Sequence, residues 1–270
     1  ALPISQRLPI IGQTCVINPC DTQQKTMMKQ LEDMMQELGL EAPRAYFGKI
    51  REFADSRSPV LDLHSAGLTD EDIPLLVACL SAGKDWLVKL DIGRNSFSPA
   101  GLKTVAAAVA RMRSLKLLYC YDNKVSVPGA ALLFIDAIRA LPLMTLDLRF
   151  MGINDEDIVS LVPALKDCPT LAWLALTGNS IGDDGARALG AALALLPLLE
   201  SIWLDINPFG EAGAAAVAAS LTGARALRVC LLPEKEAPRE AALRSALCAD
   251  VRSRAETTGV VHPREIVYFC

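Results

Sequence analysis

The amino-acid sequence predicts an α/β solenoid, in which short parallel strands alternate with helices along a repeating unit. Apolar residues recur every 28 residues over most of the chain. Within each unit, the apolar spacing changes from the alternation of a strand to the three- and four-residue steps of a helix. Residues that favour helix N-termini stand between these two patterns. Self-similarity at a fixed period is typical of stacked repeats, which bury their apolar surface against their neighbours.

The repeating unit runs from Val60 to Leu232 and reads LxxLxLxxN. Its first column holds leucine at 28-residue intervals, at Leu87, Leu115, Leu143, Leu171, Leu199 and Leu227. The second column, three residues later, is Leu90, Leu118, Leu146, Leu174, Ile202 and Cys230. The third column, two residues later again, is Ile92, Cys120, Leu148, Leu176, Leu204 and Leu232. An earlier copy at Leu61, Leu63 and Leu68 fits if one extra residue separates it from the next.

Three stretches of this array carry a family resemblance: LVKLDIGRNSF, LAWLALTGNSIGDDGARALGAAL and LESIWLDINPFGEAGAAAVAASL. They resemble leucine-rich repeats of the ribonuclease-inhibitor type, and the resemblance covers roughly two-thirds of the chain. It implies a leucine-rich repeat solenoid with a curved parallel sheet on the concave face and helices on the convex face. It implies little about function, because the family includes inhibitors, GTPase activators, immune receptors and scaffolds.

Each unit predicts a short strand with inward leucines, followed by a helix. The predicted helix N-caps are Thr69, Ser98, Ser126, Asn154, Gly182 and Gly210. Acidic residues crowd the first helical turns, where the helix dipole favours them. Because adjacent strands lie about 4.8 Å apart and packed helices about 8–10 Å apart, the stack should bend with the sheet inside. The later helices are rich in alanine, so we expect a gentler curve there.

Two further columns predict structure rather than chemistry. One column holds Asn95, Asn123, Asn179 and Asn207. Side-chain amides just after the strands should form a ladder of hydrogen bonds to the turns. Met151 occupies this column in one repeat and cannot make those bonds, so the turn there should differ locally. The other column, near the helix starts, holds the glycines at 101, 129, 185 and 213, which we interpret as close-packing positions.

The array needs covered ends, because the terminal repeats of a solenoid otherwise expose apolar surface. Residues 1–20 predict an extended N-terminal arm, and residues 21–59 a helical N-terminal cap that starts with a methionine-rich helix. The repeats occupy residues 60–232, and residues 233–270 predict a C-terminal cap of one helix and one strand. The methionine stripe could instead bind a partner, since methionine-rich surfaces are adaptable.

Composition narrows the class of protein. A net charge of −4 and a sequence pI near 5.3 give no electrostatic footprint for nucleic acid. No run reaches the 18 apolar residues or so of a membrane span. Two of the eight cysteines, Cys120 and Cys230, occupy core columns, and the clustered cysteine caps of secreted repeat proteins are absent. We therefore expect reduced thiols and an intracellular protein, located in the cytoplasm.

The N-terminal residues leave two alternatives open. Cys15 and Cys20 could ligate a metal, although two cysteines without a second pair are a weak pattern. The chain begins at Ala1, which permits a removed leader and an organelle such as the mitochondrion. Elsewhere, neither His64 nor His262 stands in a metal-site or catalytic-triad spacing, and no glycine-rich phosphate loop is visible. We therefore predict no enzymatic activity, no cofactor and no metal.

The concave face is the candidate site, because the residues between the inward leucines point out of the sheet. The candidate partner-binding residues are Leu117, Tyr119, Tyr121, Asp147, Arg149, Trp173, Trp203 and Asp205. Exposed aromatic side chains ringed by Asp and Arg have the composition of a binding hot spot. Alternatively, the C-terminal tail or residues 1–20 could fold back over these side chains.

The resulting functional prediction is a non-enzymatic protein–protein interaction module, acting as a scaffolding or accessory subunit of a multi-subunit assembly. The helical face would be a second docking surface. One alternative is a small-GTPase regulator, because the Ran GTPase-activating protein resembles this repeat type, although its long acidic tail has no counterpart here. The other is an enzyme inhibitor like ribonuclease inhibitor, although that protein offers a longer and more acidic horseshoe.

Overall fold

The computed structural model describes residues 29, 33, 36, 46–123, 129–221 and 229–231. Within these residues, seven three-residue strands pair in chain order into one open parallel sheet. The strands are β1 (Val60–Asp62), β2 (Lys89–Asp91), β3 (Leu117–Tyr119), β4 (Thr145–Asp147), β5 (Trp173–Ala175), β6 (Ser201–Trp203) and β7 (Val229–Leu231). The α/β solenoid predicted from the repeat is therefore confirmed.

The second leucine column sets the register of this sheet. Its members are partners in order across neighbouring strands: Leu61, Leu90, Leu118, Leu146, Leu174, Ile202 and Cys230. The side chains from Leu61 to Ile202 in this row are 0 or 1% exposed. The extra residue before the second repeat is absorbed outside the strands, since Leu61 still pairs with Leu90. The row therefore forms one continuous core.

A helix precedes β1, and one helix follows each of β1 to β6. The helices are α1 (Tyr46–Ser56), α2 (Ile73–Gly83), α3 (Pro99–Val109), α4 (Ile135–Ala140), α5 (Asp155–Lys166), α6 (Asp183–Leu193) and α7 (Glu211–Leu221). Short 3₁₀ turns at Asp70–Asp72 and Ala130–Phe134 lead into α2 and α4. In the part of the chain that the structure describes, no helix has the length and apolar character to cross a bilayer.

Helix α1 covers the N-terminal end of the array. Its Tyr46, Ile50 and Phe53 side chains are buried. The Tyr46 hydroxyl donates a hydrogen bond to the carboxylate of Asp72, which lies at the start of the first repeat's helix. The Phe53 ring stacks on Trp86 with 5.9 Å between the ring centroids. Apolar surface of the first repeat is thus buried under a helix, as a terminal cap requires.

Other parts of the predicted caps lie outside the described residues. Three single positions in the predicted methionine-rich helix, Lys29, Asp33 and Gln36, are helical and exposed. The remainder of that helix, the N-terminal arm at 1–20 and the C-terminal cap at 233–270 are not among the described residues.

The predicted helix N-caps are present where the backbone is described. The Ser98 hydroxyl accepts the backbone N–H three residues further on, at 3.1 Å. Asn154 and Asp157 form a reciprocal capping box, each side chain accepting the other's backbone N–H at 3.0–3.1 Å. The predicted cap at Ser126 lies outside the described residues, and the first described helical turn of that repeat begins at Ala130. These caps satisfy N–H groups that have no partner within the helix.

Acidic residues in the first helical turns also bridge neighbouring repeats. Asp155 Oδ1 accepts the backbone N–H of Gly182 at 2.6 Å. Asp183 Oδ1 accepts the N–H groups of Gly210 and Gly213 at 2.7 and 2.9 Å. A Cβ atom added at Gly213 would lie 2.7 Å from the same oxygen. The close packing predicted for the glycine column is therefore confirmed at Gly101, Gly185 and Gly213, where an acid of one repeat reaches the helix start of the next. It is wrong at Gly129, where an added Cβ would meet nothing nearer than 3.8 Å and the φ is +90°.

The asparagine column forms the predicted ladder. Asn179 Nδ2 donates to the carbonyls of Leu176 and Leu148 at 2.8 and 3.0 Å. Its Oδ1 accepts the backbone N–H groups of Met151 and Ile153 at 3.0 and 3.1 Å. The same donation to the carbonyls of two repeats recurs at Asn95, Asn123 and Asn207. The ladder thus supplies partners for buried turn backbone that the strands leave unpaired.

Two repeats carry Ala66 and Met151 in place of this asparagine. In both, the next residue is a glycine with positive φ, Gly67 at +71° and Gly152 at +69°. Glycine adopts this left-handed conformation without a steric penalty, so the turn can close without the amide. The local difference predicted at Met151 is therefore confirmed.

The spacing of the helices differs along the array. A Cβ atom added at Gly190 of α6 would lie 3.0 Å from the Ala216 carbonyl oxygen of α7, so these alanine-rich helices are in close contact. Between α2 and α3, a groove of about 400 Å³ has Val77, Ala108 and Met112 among its lining residues. This difference favours a gentler curve at the later repeats, which stays a prediction.

We expect Asn179→Ala to lower the free energy of unfolding more than Asn123→Ala. Asn179 makes four hydrogen bonds to backbone. Asn123 Nδ2 makes two, and its buried Oδ1 has no partner among the described residues. A buried group left without its partner costs about 1–3 kcal/mol. Urea unfolding of both variants measures the difference, and equal losses would contradict this role of the ladder.

Candidate functional site

The first and third residues of each strand, with the second residue after it, form the surface that we call the concave face. Among the predicted site residues on this face, Asp147 is fully buried. The others are half-buried: Leu117, Tyr119, Tyr121, Arg149, Trp173, Trp203 and Asp205. All eight lie on or directly after β3–β6. The structure therefore brings the predicted residues together on four neighbouring strands.

Arg149 lies at the centre of these residues. Its Nε donates to both carboxylate oxygens of Asp147, at 2.8 and 3.0 Å, and its Nη2 donates to Oδ2 at 2.6 Å. These hydrogen bonds to Asp147 raise the pKa of Arg149. Because Asp147 has no exposed surface, it can hold the guanidinium but presents nothing to a partner. Asp147 is thus a positioning residue for Arg149.

Two aromatic rings flank the Arg149 guanidinium. Its Cζ lies 4.6 Å from the ring centroid of Tyr121 and 5.8 Å from that of Trp203. Both distances are within the range of cation–π attraction. Tyr121 follows β3, which neighbours β4, and Trp203 lies on β6, two strands away on the other side. Arg149 therefore contacts side chains from both directions across the sheet. The Arg149 side chain is 26% exposed, and part of this charge therefore reaches the surface.

The tryptophans form an aromatic panel with Tyr119. Trp173 and Trp203 meet edge to face with 5.4 Å between centroids, and Trp173 is tilted at 6.2 Å from Tyr119. Trp203 Nε1 donates to the Ser201 hydroxyl at 2.9 Å, which fixes the orientation of the indole. The strand partner of Trp203 is Ala175, whose small, buried side chain leaves space for the rings. The panel is therefore oriented by contacts within the protein.

Two residues that the sequence analysis left out of the site support Tyr121. The Tyr121 hydroxyl lies 2.7 Å from His64 Nδ1, within hydrogen-bond distance, and the two rings stack at 5.6 Å. A Cβ atom added at Gly93 would lie 2.4 Å from the Tyr121 ring, so a larger residue there would displace it. The sequence signal for this contact is Gly93, which stands in a column where other strands carry a side chain on the concave face.

The site extends beyond the strands at Asp205 and Ile206. The Thr177 hydroxyl donates to Asp205 Oδ1 at 2.5 Å. Ile206 is 64% exposed and has a φ of +55°, and Phe150, its equivalent two repeats earlier, is 43% exposed with a φ of +54°. The sequence analysis missed both, although the column holds polar residues such as Arg94 elsewhere.

Metal-binding groups and thiols were the remaining candidates for chemistry among the described residues. They contain no group of three or more His, Cys, Asp or Glu side chains that could hold a metal. Burial raises the pKa of the Cys79 thiol to about 12 and that of Cys120 well above its ordinary value. Because the thiolate is the reactive form, neither thiol is a nucleophile at neutral pH. Burial also raises the pKa of Asp91, with Asp62 nearby adding to the shift.

Part of the chain is similar to known proteins. A family model described as a leucine-rich repeat matches residues 167–190. NACHT, LRR and PYD domains-containing protein 5 of Bos taurus is 30% identical over 127 residues, which are 46% of this chain and 12% of that protein. The chain therefore corresponds to a small part of that relative. Among solved structures, leiomodin-1 actin-binding site 2 gives a TM-score of 0.38 at 12% identity, covering 80% of this chain and 95% of that chain.

The chain contains leucine-rich repeats, since the family model at residues 167–190 and the register of the leucine columns agree. Its assignment to the ribonuclease-inhibitor type stays a prediction.

Arg149→Ala should lower the free energy of unfolding by about 3–5 kcal/mol, because it leaves the buried Asp147 carboxylate without its partner. Combining Arg149→Ala with Asp147→Ala should recover much of this loss. Arg187→Ala is the matched control, since Arg187 pairs with Asp184 on the exposed surface and such pairs contribute about 1 kcal/mol or less. Urea unfolding compares these variants, and a double variant no more stable than Arg149→Ala would contradict the pairing.

Asp91→Asn should raise the free energy of unfolding at pH 7, because it removes an ionisable carboxylate from a residue that is 8% exposed. Its folded pKa lies above the ordinary 3.8, so the folded state binds this proton more tightly than the unfolded chain. The contribution of Asp91 to stability therefore falls as the pH rises through the window above 3.8. Urea unfolding should show a higher free energy of unfolding for the variant than for the wild type at pH 7 but not below pH 3.8. An equal difference at both pH values would contradict the explanation. Asp122→Asn, at an exposed acid, is the control.

Proposed function

We propose that this protein is a non-enzymatic module that binds a protein partner through the concave face. The observation that carries the proposal is the Arg149 guanidinium, held by Asp147 and flanked by Tyr121 and Trp203, on a side chain that is 26% exposed. Tryptophan, tyrosine and arginine supply a disproportionate share of the binding energy at protein interfaces. Here these residue types are clustered on one surface rather than scattered.

The contacts within the cluster also support binding because they reduce its entropic cost. Ordering a flexible side chain at an interface costs about 0.5–1.5 kcal/mol. Arg149 is already held by three side-chain hydrogen bonds to Asp147. Tyr121 contacts His64, and Trp203 is oriented by Ser201. A partner would therefore meet side chains that have already lost much of their freedom.

We further propose that the protein acts as a scaffolding or accessory subunit of a multi-subunit assembly. The array offers the concave face and, separately, a helical face with a groove between α2 and α3. Two separate surfaces suit a chain that holds one protein while being held by another. An intracellular assembly is favoured by the buried, unpaired thiols of Cys79, Cys120 and Cys168, since oxidising compartments promote disulfides.

Two assays separate this proposal from its alternatives. Faster nucleotide hydrolysis by members of a small-GTPase panel would favour the GTPase regulator, and inhibition of a basic ribonuclease would favour the inhibitor. We expect neither effect.

Replacing Trp173 and Trp203 together with alanine should abolish recovery of the native partner in affinity purification from the source cells. The panel would lose its two largest aromatic surfaces, whereas the leucine core beneath would remain. Val159→Ala is the control, because Val159 is a 58% exposed apolar residue on helix α5. Recovery of the same partner by the double variant, with unchanged circular dichroism, would exclude the concave face.

A further inference from the structure

The charges of the concave face are unevenly matched. Lys89 Nζ lies 3.9 Å from an Asp62 oxygen, and Arg149 is committed to Asp147. Asp91 is buried, and its carboxylate accepts the Gly93 backbone N–H at 3.0 Å. Each of the two cations on this face is thus paired with an acid. The acid that remains at the surface is Asp205.

Asp205 carries a negative charge that the described residues do not neutralise by direct contact. Its Oδ1 accepts a hydrogen bond from the uncharged Thr177 hydroxyl. Among the described side chains, no lysine or arginine nitrogen lies within 4.0 Å of its carboxylate. Asp205 is close enough to Arg149 to contribute to the raised pKa of Arg149, but the Nε and Nη2 of Arg149 donate to Asp147. The half-buried carboxylate therefore has no cationic partner within 4.0 Å among the described side chains.

An apolar shelf adjoins Asp205. We define it as Phe150 and Ile206, which flank Gly178 in the residue column that directly follows the concave face. A Cβ atom added at Gly178 would lie 2.1 Å from the Phe150 ring, so the ring lies over this glycine. The shelf side chains are 43 and 64% exposed. Ile206 follows Asp205 directly in the chain, so the shelf begins one residue beyond the unpaired carboxylate.

Isoleucine is an unfavourable residue for the backbone conformation at position 206. Every described repeat has positive φ in this column, but a β-branched residue is a conformational outlier there. The left-handed conformation is unfavourable for an L-residue, and the exposed Ile206 side chain gains little from burial in return. The other described repeats fill this column with residues that are not β-branched: Ser65, Arg94, Asp122, Phe150 and Gly178. A bound apolar group would give Ile206 the burial that the free protein lacks.

We propose that the partner of the concave face presents a lysine or arginine side chain to Asp205 and, beside it, an apolar side chain to the shelf of Phe150 and Ile206. This inference rests on the proposed function, that the concave face binds a protein. The surplus carboxylate repels phosphate, so the same surface is unsuited to nucleic acid or to anionic lipid headgroups. An acidic partner is disfavoured too, because both cations of the face are already paired. The occupant is therefore a protein segment that is basic and apolar.

A random dodecapeptide phage library, selected on the wild-type chain, tests this inference. We expect enriched peptides that carry arginine or lysine next to leucine, isoleucine or phenylalanine. Synthetic copies should bind Asp205→Asn about tenfold or more weakly, a loss of about 1.4 kcal/mol. The same substitution at Asp62, a paired acid at the far end of the face, should leave binding unchanged.

Ile206→Asn provides a readout that misfolding would not produce. Asparagine tolerates the left-handed conformation, so this variant should unfold at a higher temperature than the wild type while binding the peptides more weakly. A variant that is less stable, or one that binds equally well, would contradict the role of the shelf.

The remaining outcomes are distinguishable. Enrichment of acidic or uncharged peptides, or no enrichment, would overturn the inference. Peptides that need Trp203 but bind Asp205→Asn normally would overturn the inference and leave the proposed function standing. Peptides that bind Trp203→Ala and Asp205→Asn as tightly as the wild type would count against both the inference and the proposed function.

Discussion

The structure depends on the register that places each leucine of the second column beside its counterpart in the next repeat. A three-residue strand and one helix cannot enclose their own apolar side chains, so burial is achieved only between neighbouring repeats. Leu90, Leu118 and Leu146 have no exposed surface because each lies between two others of the same row. A slip of one residue would turn these leucines outward and bring the displayed residues into the core.

Polar side chains fix how neighbouring repeats are placed relative to each other. Apolar burial favours contact without fixing its geometry. The amide of Asn179 joins two repeats at the turns, and the carboxylate of Asp183 joins two repeats at the helix starts. Because both reach backbone groups about one repeat away, they set the spacing of the units as well as their order. The two ends of each unit are thereby tied to the next.

The concave face takes its shape from this spacing and from a few small residues. Gly93 leaves room for the Tyr121 ring, and Ala175 is the strand partner of Trp203. Arg149 lies between those two rings, fixed from below by Asp147. The result is a diagonal cluster that crosses four strands rather than a row along one of them. A rigid sheet is what keeps such a cluster in place without a partner.

By itself, the sequence determined the strands, the helices, the leucine core, the asparagine ladder and the surface on which the candidate residues lie. All of these follow from spacing within one repeat, which local chemistry controls. Only the tertiary structure decided that Asp147 lies hidden under Arg149, that His64 supports Tyr121, and that Asp183 bridges two repeats. Those contacts depend on side-chain conformations, or on residues 27 to 57 positions apart, and such residues meet only once the repeats are stacked.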